Sequence, residues 1–584
     1  MTHLPCSQIR DLMAKEGIDA YWVPSTDPHQ SEYVPAAWNR RAFASGFDGS
    51  AGDLIILKDA AFLWTDSRYF LQAEAQLNGS GIELMKMGQT DVPSIHEFLG
   101  KQFKGKLGID PRLISPKESA AVAKILGTDR LMFIDQNLVD RVWEDQPPLS
   151  MDPIQVHPDD LAGQSITSKL VDVRKSMEKE QVDFLVISQL DAIAWLFNIR
   201  GTDVEFNPLV VSYALVSERQ AWLFVDSNKV TPGVKSHLGG QVTIAAYDQF
   251  AEILKRETKS STVLMDSDFS SKWIEQALHG ANLVRGTNPI TLLKSRKNET
   301  ELEGFRQCHI RDGVAMVRFF IWLEETLNNG GITEISASDR LTAFRAEQDG
   351  FQGPSFGSIS GYAAHGAIVH YSATPESDVP LKQEGLYLID SGGQYVDGTT
   401  DITRTLALGT PTDEQKDRFT RVLKGHLALR HARFPKGTCG PQLDTLARKP
   451  LWDIGLNYGH GTGHGVGSYL CVHEGPQAIS YYRGAGVPME PGMVVSNEPG
   501  FYKEGEYGIR IENLVAVTSE GDHGFMGFED LTMCPIDRKL IDVSLLDEAE
   551  RNALNSYHRE VYSKLAPKLS EPEKKWLKEA TAEI

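Results

Sequence analysis

The sequence predicts an α/β (α+β) protein in which two similar α/β domains precede a third domain with a long helix and many strands. Its 584 residues exceed the size of one ordinary domain. A helix–strand–hairpin pattern occurs twice, at an offset of roughly 160 residues, which indicates a duplicated module and not a solenoid of shorter repeats. We expect domains at 1–160, 161–290 and 291–540, and a helical extension at 541–584.

The first module begins with apolar residues at helical spacing between residues 9 and 13. Residues 18–23 have the apolar and aromatic composition of a strand. Residues 53–57 and 61–64 flank a short polar turn and predict a hairpin, and residues 66–69 are expected to open a helix.

The second module repeats this order. Residues 168–177 predict a helix, and residues 182–187 predict the strand that follows it. Two strands at 213–216 and 221–225 again flank a polar turn. The two modules are therefore predicted to share one fold.

The third region opens near residue 291 with a different pattern. Residues 297–326 place apolar side chains at the spacing of one long amphipathic helix. Strand patterns then predominate to about residue 540. The charged tail, residues 547–584, is helical in pattern, and Trp576 and Leu577 are its expected anchoring contacts.

The composition excludes several classes of partner. The chain is 41% hydrophobic and 24% charged with a formal net charge of -20, whereas nucleic acids and anionic membranes attract clustered Lys and Arg. Five scattered cysteines without a CxxC pair favour free thiols in a reducing compartment. The N-terminal residues lack a signal-peptide core, and no apolar run approaches the roughly 18 residues that span a bilayer. We expect a cytoplasmic protein with no nucleic-acid and no membrane partner.

Four carboxylates lie on or beside apolar strand patterns, and three histidines lie in or near a glycine-rich loop. They are Asp390, Asp401, Glu498 and Glu512, with His460, His464 and His473. Any one such Asp or Glu alone is more often a turn or capping residue, but two nearby divalent cations need several anionic oxygen ligands. Four carboxylates with the single imidazole of His464 and no thiolate suit Mn²⁺ better than a structural Zn²⁺, although Co²⁺, Fe²⁺ and Zn²⁺ would also bind.

Two segments of this region look like known sequence motifs but do not match them in full. The loop HGTGHGVG at 460–467 is not a GxGxxG nucleotide loop, because Val466 occupies the position of the third glycine. The pair His473-Glu474 does not begin an HExxH zinc motif, because Gln477 stands where the second histidine would be. Three further histidines are expected to be exposed or locally hydrogen-bonded: His365, His426 and His431.

The segments HGTGHGVG, SYLCVHEGP, SNEPGFY and YGIRIEN together resemble the metallopeptidase superfamily of aminopeptidase P, prolidase, methionine aminopeptidase and creatinase. That resemblance implies a C-terminal catalytic domain of the pita-bread fold. The two modules before it resemble creatinase-type N-terminal domains, as in three-domain Xaa-Pro aminopeptidases. The nine-residue offset between His464 and His473 matches this long form and not the shorter prolidases.

The resemblance also implies a role for each site residue. Two metal ions would be held by Asp390, Asp401, His464, Glu498 and Glu512, with Asp401 and Glu512 bridging them and Glu498 also acting as acid and base. His370 and His473 would contact substrate, His460 would assist binding at the proline side, and Arg510 would support the ligands. In the sequence Arg510 and Glu512 are two apart, which places them on one face of a strand.

The implied activity is metal-dependent hydrolysis of the N-terminal Xaa-Pro bond of a peptide, by a hydroxide that bridges two Mn²⁺ ions. Homodimerisation through the catalytic domain is implied as well. The alternatives are a prolidase that cuts only dipeptides and a non-catalytic peptide-binding relative of the same fold. The complete set of metal-ligand residues disfavours the second of these, and it also disfavours metal-free creatinase chemistry.

Overall fold

A computed structural model describes residues 4–520 and 524–584. The chain forms two units, one running to His157 and resuming over Gln164–Thr291, the other comprising Pro158–Gly163 and Leu292–Ile584. Within the described residues, no helix combines the length and the hydropathy needed to cross a bilayer.

The first unit begins with a six-stranded mixed sheet whose strand order is β4-β3-β2-β1-β5-β6. Its strands are β1 (Ala20–Val23), β2 (Asp53–Leu57), β3 (Ala61–Thr65), β4 (Glu83–Lys86), β5 (Leu107–Ile109) and β6 (Leu131–Phe133). Its helices are α1 (Leu4–Glu16), α2 (Arg40–Ser45), α3 (Phe70–Leu77), α4 (Ile95–Lys101) and α5 (Pro116–Leu126). Alternation along the strands sends side chains to two separate apolar clusters, one containing Leu54 and Ile56 and the other Ile55.

A second six-stranded sheet follows, ordered β12-β11-β10-β8-β13-β14. The strands of this stretch are β7 (Gln155–Val156), β8 (Phe184–Ile187), β9 (Ile199–Arg200), β10 (Tyr213–Ser217), β11 (Ala221–Phe224), β12 (Val242–Ala245), β13 (Thr262–Met265) and β14 (Asn282–Arg285). The helices of this stretch are α6 (Asp159–Ala162), which belongs to the second unit, and α7 (Ile166–Lys179), α8 (Leu190–Leu196), α9 (Pro232–Leu238), α10 (Phe250–Glu257), α11 (Lys272–Ala277) and α12 (Pro289–Ser295).

The predicted duplication is confirmed by strand pairing. In each sheet the central strand pairs antiparallel with the first hairpin strand and parallel with a later strand, as β1 does with β2 and β5, and β8 with β10 and β13. Hairpins β2–β3 and β10–β11 lie at the predicted positions. The helix predicted to open at 66–69 is present but begins just after these residues: they form a turn, in which Tyr69 N–H donates to the Asp66 carbonyl, and α3 begins at Phe70.

The longest helix of the second unit is α13 (Glu299–Leu327), which confirms the long predicted helix. Its start is fixed by a capping box, in which the Asn298 side chain accepts from Glu301 N–H and the Glu301 side chain accepts from Asn298 N–H. Val314 and Val317 are buried in a cluster to which α17 and α18 also contribute. The remaining helices are α14 (Glu334–Ala346), α15 (Asp413–Arg430), α16 (Gly440–Trp452), α17 (Glu548–Leu565) and α18 (Glu571–Ala580).

Four sheets complete this unit: one of six strands ordered β21-β28-β27-β24-β22-β23, and three smaller ones ordered β15-β18-β19, β16-β17-β20 and β25-β26. Their strands are β15 (Phe351–Pro354), β16 (Ile359–Tyr362), β17 (Leu386–Ser391), β18 (Gly393–Tyr395), β19 (Gly398–Thr399), β20 (Ile402–Ala407), β21 (Phe434–Pro435), β22 (Gly463–Gly465), β23 (Glu474–Ile479), β24 (Val494–Asn497), β25 (Gly500–Lys503), β26 (Tyr507–Arg510), β27 (Asn513–Glu520) and β28 (Phe525–Asp530).

The tail and the cysteines behave as the sequence predicts. Leu577 is fully buried, and the Trp576 ring lies 6.3 Å from that of Phe320 on α13. Trp576 Nε1 also donates to Glu324, which anchors the C-terminal helix to the long helix. All five cysteines are free thiols.

Candidate metal centre

Two neighbouring strands deliver the two aspartates. Asp390 is the fifth residue of β17 and pairs with Thr403 of β20, while Asp401 immediately precedes β20. Antiparallel pairing therefore brings Asp390 and Asp401 to the same end of one sheet, although ten residues separate them along the chain.

The two glutamates come from the ends of other strands. Glu498 directly follows β24, and Glu512 lies between β26 and β27. Glu512 N–H donates to the Thr403 carbonyl, and the Thr403 hydroxyl donates to Glu512 Oε2 at 2.6 Å. Thr403 thus fixes Glu512 to the strand that follows Asp401.

His464 lies on β22 and faces the carboxylates. Its Nε2 lies 3.4 Å from Asp401 Oδ2 and 3.7 Å from Glu498 Oε1. Its Nδ1 lies 3.0 Å from the Gly465 carbonyl, a contact that requires a proton on Nδ1 and leaves Nε2 available as a ligand. Ser496 accepts from His464 N–H and donates to Glu498 Oε1, so one hydroxyl holds both residues.

The arrangement of these side chains suits a bound cation, because contacts among the side chains do not satisfy all of their polar atoms. Asp401, His464 and Glu512 each offer a ligand atom, and these atoms lie within 4.8 Å of one another. Asp390 and Asp401 are 7% and 4% exposed, and the Oδ1 atom of each has no hydrogen-bond partner among the described residues. Buried carboxylate oxygens without a partner are costly, and a bound cation would satisfy them.

The electrostatics support the same conclusion. Burial raises the pKa of Asp390 to about 7, assisted by the charge of Asp401 and opposed by Arg510. Burial, with the neighbouring carboxylates, also raises the pKa of Glu498 and raises that of Glu512 well above its usual range. Burial lowers the pKa of His464, but Asp401 and Glu498 outweigh it and raise that pKa to about 9. The site therefore lacks positive charge.

Arg510 joins the ligands to the residues around them. Its Nη2 donates to Asp390 Oδ2 at 2.7 Å and its Nε donates to the Thr403 hydroxyl at 3.1 Å. Its Nη1 donates to the Tyr502 hydroxyl at 2.6 Å, and that hydroxyl lies 2.8 Å from His460 Nε2. Thr403 bonds both Arg510 and Glu512, but the strand ends at Arg510, so the two residues do not share one strand as predicted.

The three histidines predicted to contact substrate occupy three different positions around the proposed ligands. The His473 ring lies 4.4 Å from that of His464, nearly perpendicular to it. His460 Nε2 lies 2.8 Å from the Tyr502 hydroxyl, which connects this histidine to the ligand network. His370 follows Val369, whose carbonyl accepts from Arg510 Nη2 at 3.4 Å. The backbone beside His370 is thus tied to the residue that holds Asp390.

The other histidines follow the prediction with one exception. His365 is hydrogen-bonded to buried Glu334 and stacks on Tyr371, so it is locally satisfied. His426 is the exception, because its ring is buried and neither ring nitrogen has a hydrogen-bond partner within the described residues. The expectation that His426 is exposed or locally bonded is wrong.

Sequence reasoning missed the polar residues that orient the ligands. They are Thr403, Ser496 and Tyr502. Tyr502 ends the SNEPGFY segment that carries the family resemblance, so that motif contained a signal for it. Ser496 begins that same segment, whereas Thr403 is an ordinary strand residue in the sequence, and only the strand pairing identifies its role.

Family models match nearly the whole chain. Residues 6–142 and 145–301 each match the Creatinase/Prolidase N-terminal domain, residues 303–519 match metallopeptidase family M24, and residues 524–584 match the C-terminal region of that peptidase family. The matches to residues 6–142 and 145–301 agree with the duplication seen in the two sheets.

Curated relatives match along nearly the whole length. The probable Xaa-Pro aminopeptidase P of Coprinopsis cinerea is 44% identical over 609 residues, covering 99% of this chain and 97% of the relative. Aminopeptidase P2 of Arabidopsis thaliana is 42% identical, covering 96% of this chain and 86% of the relative.

Solved structures give the same picture. The X-prolyl aminopeptidase of Caenorhabditis elegans, described as a cytosolic enzyme with a di-nuclear active site, aligns with a TM-score of 0.95 and 35% identity over 100% of this chain and 99% of its own. An Xaa-Pro dipeptidase from Bacillus anthracis, 24% identical with a TM-score of 0.53, covers 64% of this chain and shares its fold.

Proposed function

The chain belongs to metallopeptidase family M24 and is an aminopeptidase of the Xaa-Pro class, and we propose how its residues carry out that reaction. The proposed ligands of two divalent metal ions are Asp390, Asp401, His464, Glu498 and Glu512. The observation that carries this proposal is the convergence of Asp401, His464 and Glu512 ligand atoms within 4.8 Å. The unpartnered oxygens of Asp390 and Asp401 support it.

We propose Mn²⁺ as the preferred metal. Four carboxylates and one imidazole form a hard, oxygen-rich donor set, which suits Mn²⁺, while Co²⁺, Fe²⁺ and Zn²⁺ remain compatible with it. When bound, two such ions would lower the pKa of water towards neutrality and polarise the carbonyl that is to be cleaved.

Glu498 is the proposed acid and base. It is held by the Ser496 hydroxyl at 3.1 Å, and burial with the charge of Asp401 raises its pKa. A raised pKa brings a carboxylate closer to neutral pH, where it accepts and returns protons most effectively. Glu498 would take a proton from the attacking water as the new C–O bond forms. The proton would pass to the proline nitrogen as the C–N bond breaks.

The histidines and Arg510 orient the substrate and the ligands. His473 borders His464 and is proposed, with His370, to hydrogen-bond the peptide beside the reacting carbonyl. His460, oriented by Tyr502, is proposed to contact the proline side. Arg510 is proposed to fix Asp390 in the orientation that a metal requires, because it donates to that carboxylate at 2.7 Å.

An Xaa-Pro bond requires a dedicated enzyme for a simple chemical reason. Proline has no backbone N–H, and its ring fixes the φ angle, so a peptidase that grips that N–H cannot bind it. An enzyme of this class can recognise the ring by its shape. The excess of carboxylates also favours the cationic amino terminus of a peptide.

The decisive experiment compares an Xaa-Pro-Yaa tripeptide with an Xaa-Pro dipeptide, each with Mn²⁺ and with chelator. We expect the tripeptide to be cut between Xaa and Pro and the cleavage to stop with chelator. Cleavage of the dipeptide alone would instead identify a prolidase. Retained tripeptide cleavage in metal-stripped protein would overturn the metal centre.

A homodimer formed through the second unit is also proposed. Trp452 and Tyr481 stack at 5.8 Å, and the Tyr482 ring, 83% exposed, lies 6.1 Å from Tyr481. Exposed aromatic clusters of this kind mark interaction surfaces. Light scattering should give twice the chain mass for wild type and a lower mass for Tyr482→Asp, with Phe269→Asp, another exposed aromatic, as control. A monomeric wild type would refute the dimer, and a dimeric Tyr482→Asp would refute this surface.

The cytoplasmic location and the domain boundaries at 160, 290 and 540 are also proposals. The cytosolic description of the Caenorhabditis elegans enzyme and the five free cysteines support the location, since free thiols suit a reducing compartment. Fractionation of cells that produce the chain would test it.

A further inference from the structure

A buried ion pair lies close to the metal centre without belonging to it. Asp312 of α13 and Arg345 of α14 form a two-bond pair, with Arg345 Nε 2.8 Å from Asp312 Oδ1 and Nη2 3.1 Å from Oδ2. Their side chains are only 4% and 2% exposed. Burial raises the pKa of Asp312, but Arg345 outweighs it and leaves that pKa below its usual range. Both groups are therefore charged.

A buried pair of this kind contributes little to stability by itself, because the cost of desolvating two charges offsets their attraction. Its value depends on what else the two side chains hold. In this protein, each of them also bonds to a residue of the segment that joins Asp390 to Asp401.

That segment leaves the sheet after β17 and returns at β20, and it closes on itself at a neck formed by residues 391–393 and 400–402. Ser391 pairs with Ile402. Thr400 N–H donates to the Gly393 carbonyl, and Gly393 N–H donates to the Thr400 hydroxyl, both at 2.9 Å. A Cβ on Gly392 would lie 2.0 Å from the Thr400 carbonyl oxygen, so the two sides of the neck are in close contact.

The ion pair forms a hydrogen bond with each side of this neck. The Thr400 hydroxyl donates to Asp312 Oδ1 at 3.0 Å, and Arg345 Nη2 donates to the Ser391 carbonyl at 3.4 Å. Ser391 directly follows Asp390, and Thr400 directly precedes Asp401. One rigid pair thus contacts the neighbour of each aspartate.

We propose that Asp312 and Arg345 are positioning residues that hold Asp390 and Asp401 at the separation two metal ions require. This inference rests on the proposed metal ligands. Charge repulsion between the buried carboxylates favours their separation when no cation is bound. The Asp312–Arg345 pair acts as a clamp: by bonding to Thr400 and Ser391 it holds the two sides of the neck together. The pair therefore opposes that separation and keeps the site preorganised. Groups that orient metal ligands typically change metal affinity by about 10–100-fold when they are lost.

The test replaces Asp312 and a matched residue. Asp312→Asn removes the charge that pairs with Arg345. Asp203→Asn does the same to the Lys229–Asp203 pair of the first unit, whose side chains are similarly buried at 4% and 2% exposure. Both variants leave a buried cation without its partner, so both should lower Tm.

Measurements of metal binding distinguish a residue that positions the metal ligands from one that only stabilises the fold. Calorimetric titration of Mn²⁺ into chelator-stripped protein should show about 10–100-fold weaker binding for Asp312→Asn, and unchanged binding for Asp203→Asn. The visible absorption of the Co²⁺-loaded protein should change only in Asp312→Asn. Wild-type affinity and spectrum in Asp312→Asn, or equal losses in both variants, would overturn the proposal. If wild type itself bound no metal, the ligand assignment would fail instead.

Thr400 provides a second variant should Asp312→Asn not fold. Thr400→Val keeps the side-chain shape but removes the hydroxyl that donates to Asp312, whereas Thr400→Ser retains it. We expect weakened Mn²⁺ binding in the first and near wild-type binding in the second. Equal Mn²⁺ affinity in both would contradict a clamp that acts through this hydroxyl.

Discussion

Arg510 Nη2 donates to Asp390 Oδ2 at 2.7 Å, and both side chains lie almost entirely out of solvent. The same guanidinium reaches Thr403 and Tyr502. A single planar side chain therefore fixes one proposed metal ligand, the residue that holds Glu512 and the hydroxyl that orients His460.

Replacing Arg510 with Lys should damage the site while keeping its charge. A single ammonium cannot reproduce the fork that spans Asp390, Thr403 and Tyr502. We expect kcat/KM and Mn²⁺ affinity each to fall by about 10–100-fold, the usual effect of losing a group that orients a ligand. Arg318→Lys, at a partly exposed pair with Glu573, is the control. Unchanged Mn²⁺ affinity in Arg510→Lys would contradict this role.

Glu498→Gln should abolish turnover without unfolding the protein. The amide keeps the size of the side chain and a contact with Ser496, but it removes the anionic ligand and the proton acceptor. Tripeptide hydrolysis should fall below detection while Tm stays close to that of wild type. Glu490→Gln, at an exposed pair with Arg296, should remain fully active. Full activity in Glu498→Gln would eliminate its proposed role as acid and base.

The stability of metal-free protein should fall as pH rises. Asp390 has an ordinary pKa of 3.8 and a pKa of about 7 in the folded protein, so the folded state binds more protons than the unfolded state between these values. His464, raised from 6.5 to about 9, acts in the same direction at higher pH. Because the folded state holds the extra protons, the free energy of unfolding declines as pH rises from 3.8 to about 7 for Asp390 and from 6.5 to about 9 for His464.

Thermal unfolding in chelator at pH 5 and pH 8 measures this effect. We expect a lower Tm at pH 8 in the metal-free protein, and a smaller difference when Mn²⁺ is bound. Asp390→Asn removes one titrating group and should reduce the difference in chelator. A Tm in chelator that is equal or higher at pH 8 would show that Asp390 and His464 do not titrate as described.

The fold was largely predictable because its signals are local. The hairpins at 53–57 with 61–64 and at 213–216 with 221–225 follow from apolar runs around polar turns, and α13 follows from helical periodicity. The helix expected to open at 66–69 begins slightly later, at Phe70, for an equally local reason. Asp66 accepts from the N–H and the guanidinium of Arg68, and this turn delays the helix to Phe70.

The site was only partly predictable, because its supporting contacts join distant parts of the chain. Asp390 and Asp401 are recognisable beside their strands, but Asp312 lies 33 positions from Arg345 and 88 positions from Thr400 in the sequence. No periodic pattern marks such contacts. His426 shows the converse case, since a polar side chain on α15 gives no sequence signal that it lies buried without a partner.

Gly508→Ala should impair substrate binding from a distance, through the backbone. A Cβ at Gly508 would lie 1.7 Å from the Gly366 carbonyl oxygen, and a backbone atom cannot give way as the tip of a side chain can. The 363–367 turn would therefore shift, together with Val369 and His370 beyond it. We expect KM for the tripeptide to rise several-fold, with a smaller loss in kcat. Gly240→Ala, where a Cβ meets open space, is the control, and an unchanged KM in Gly508→Ala would show that His370 does not depend on this contact.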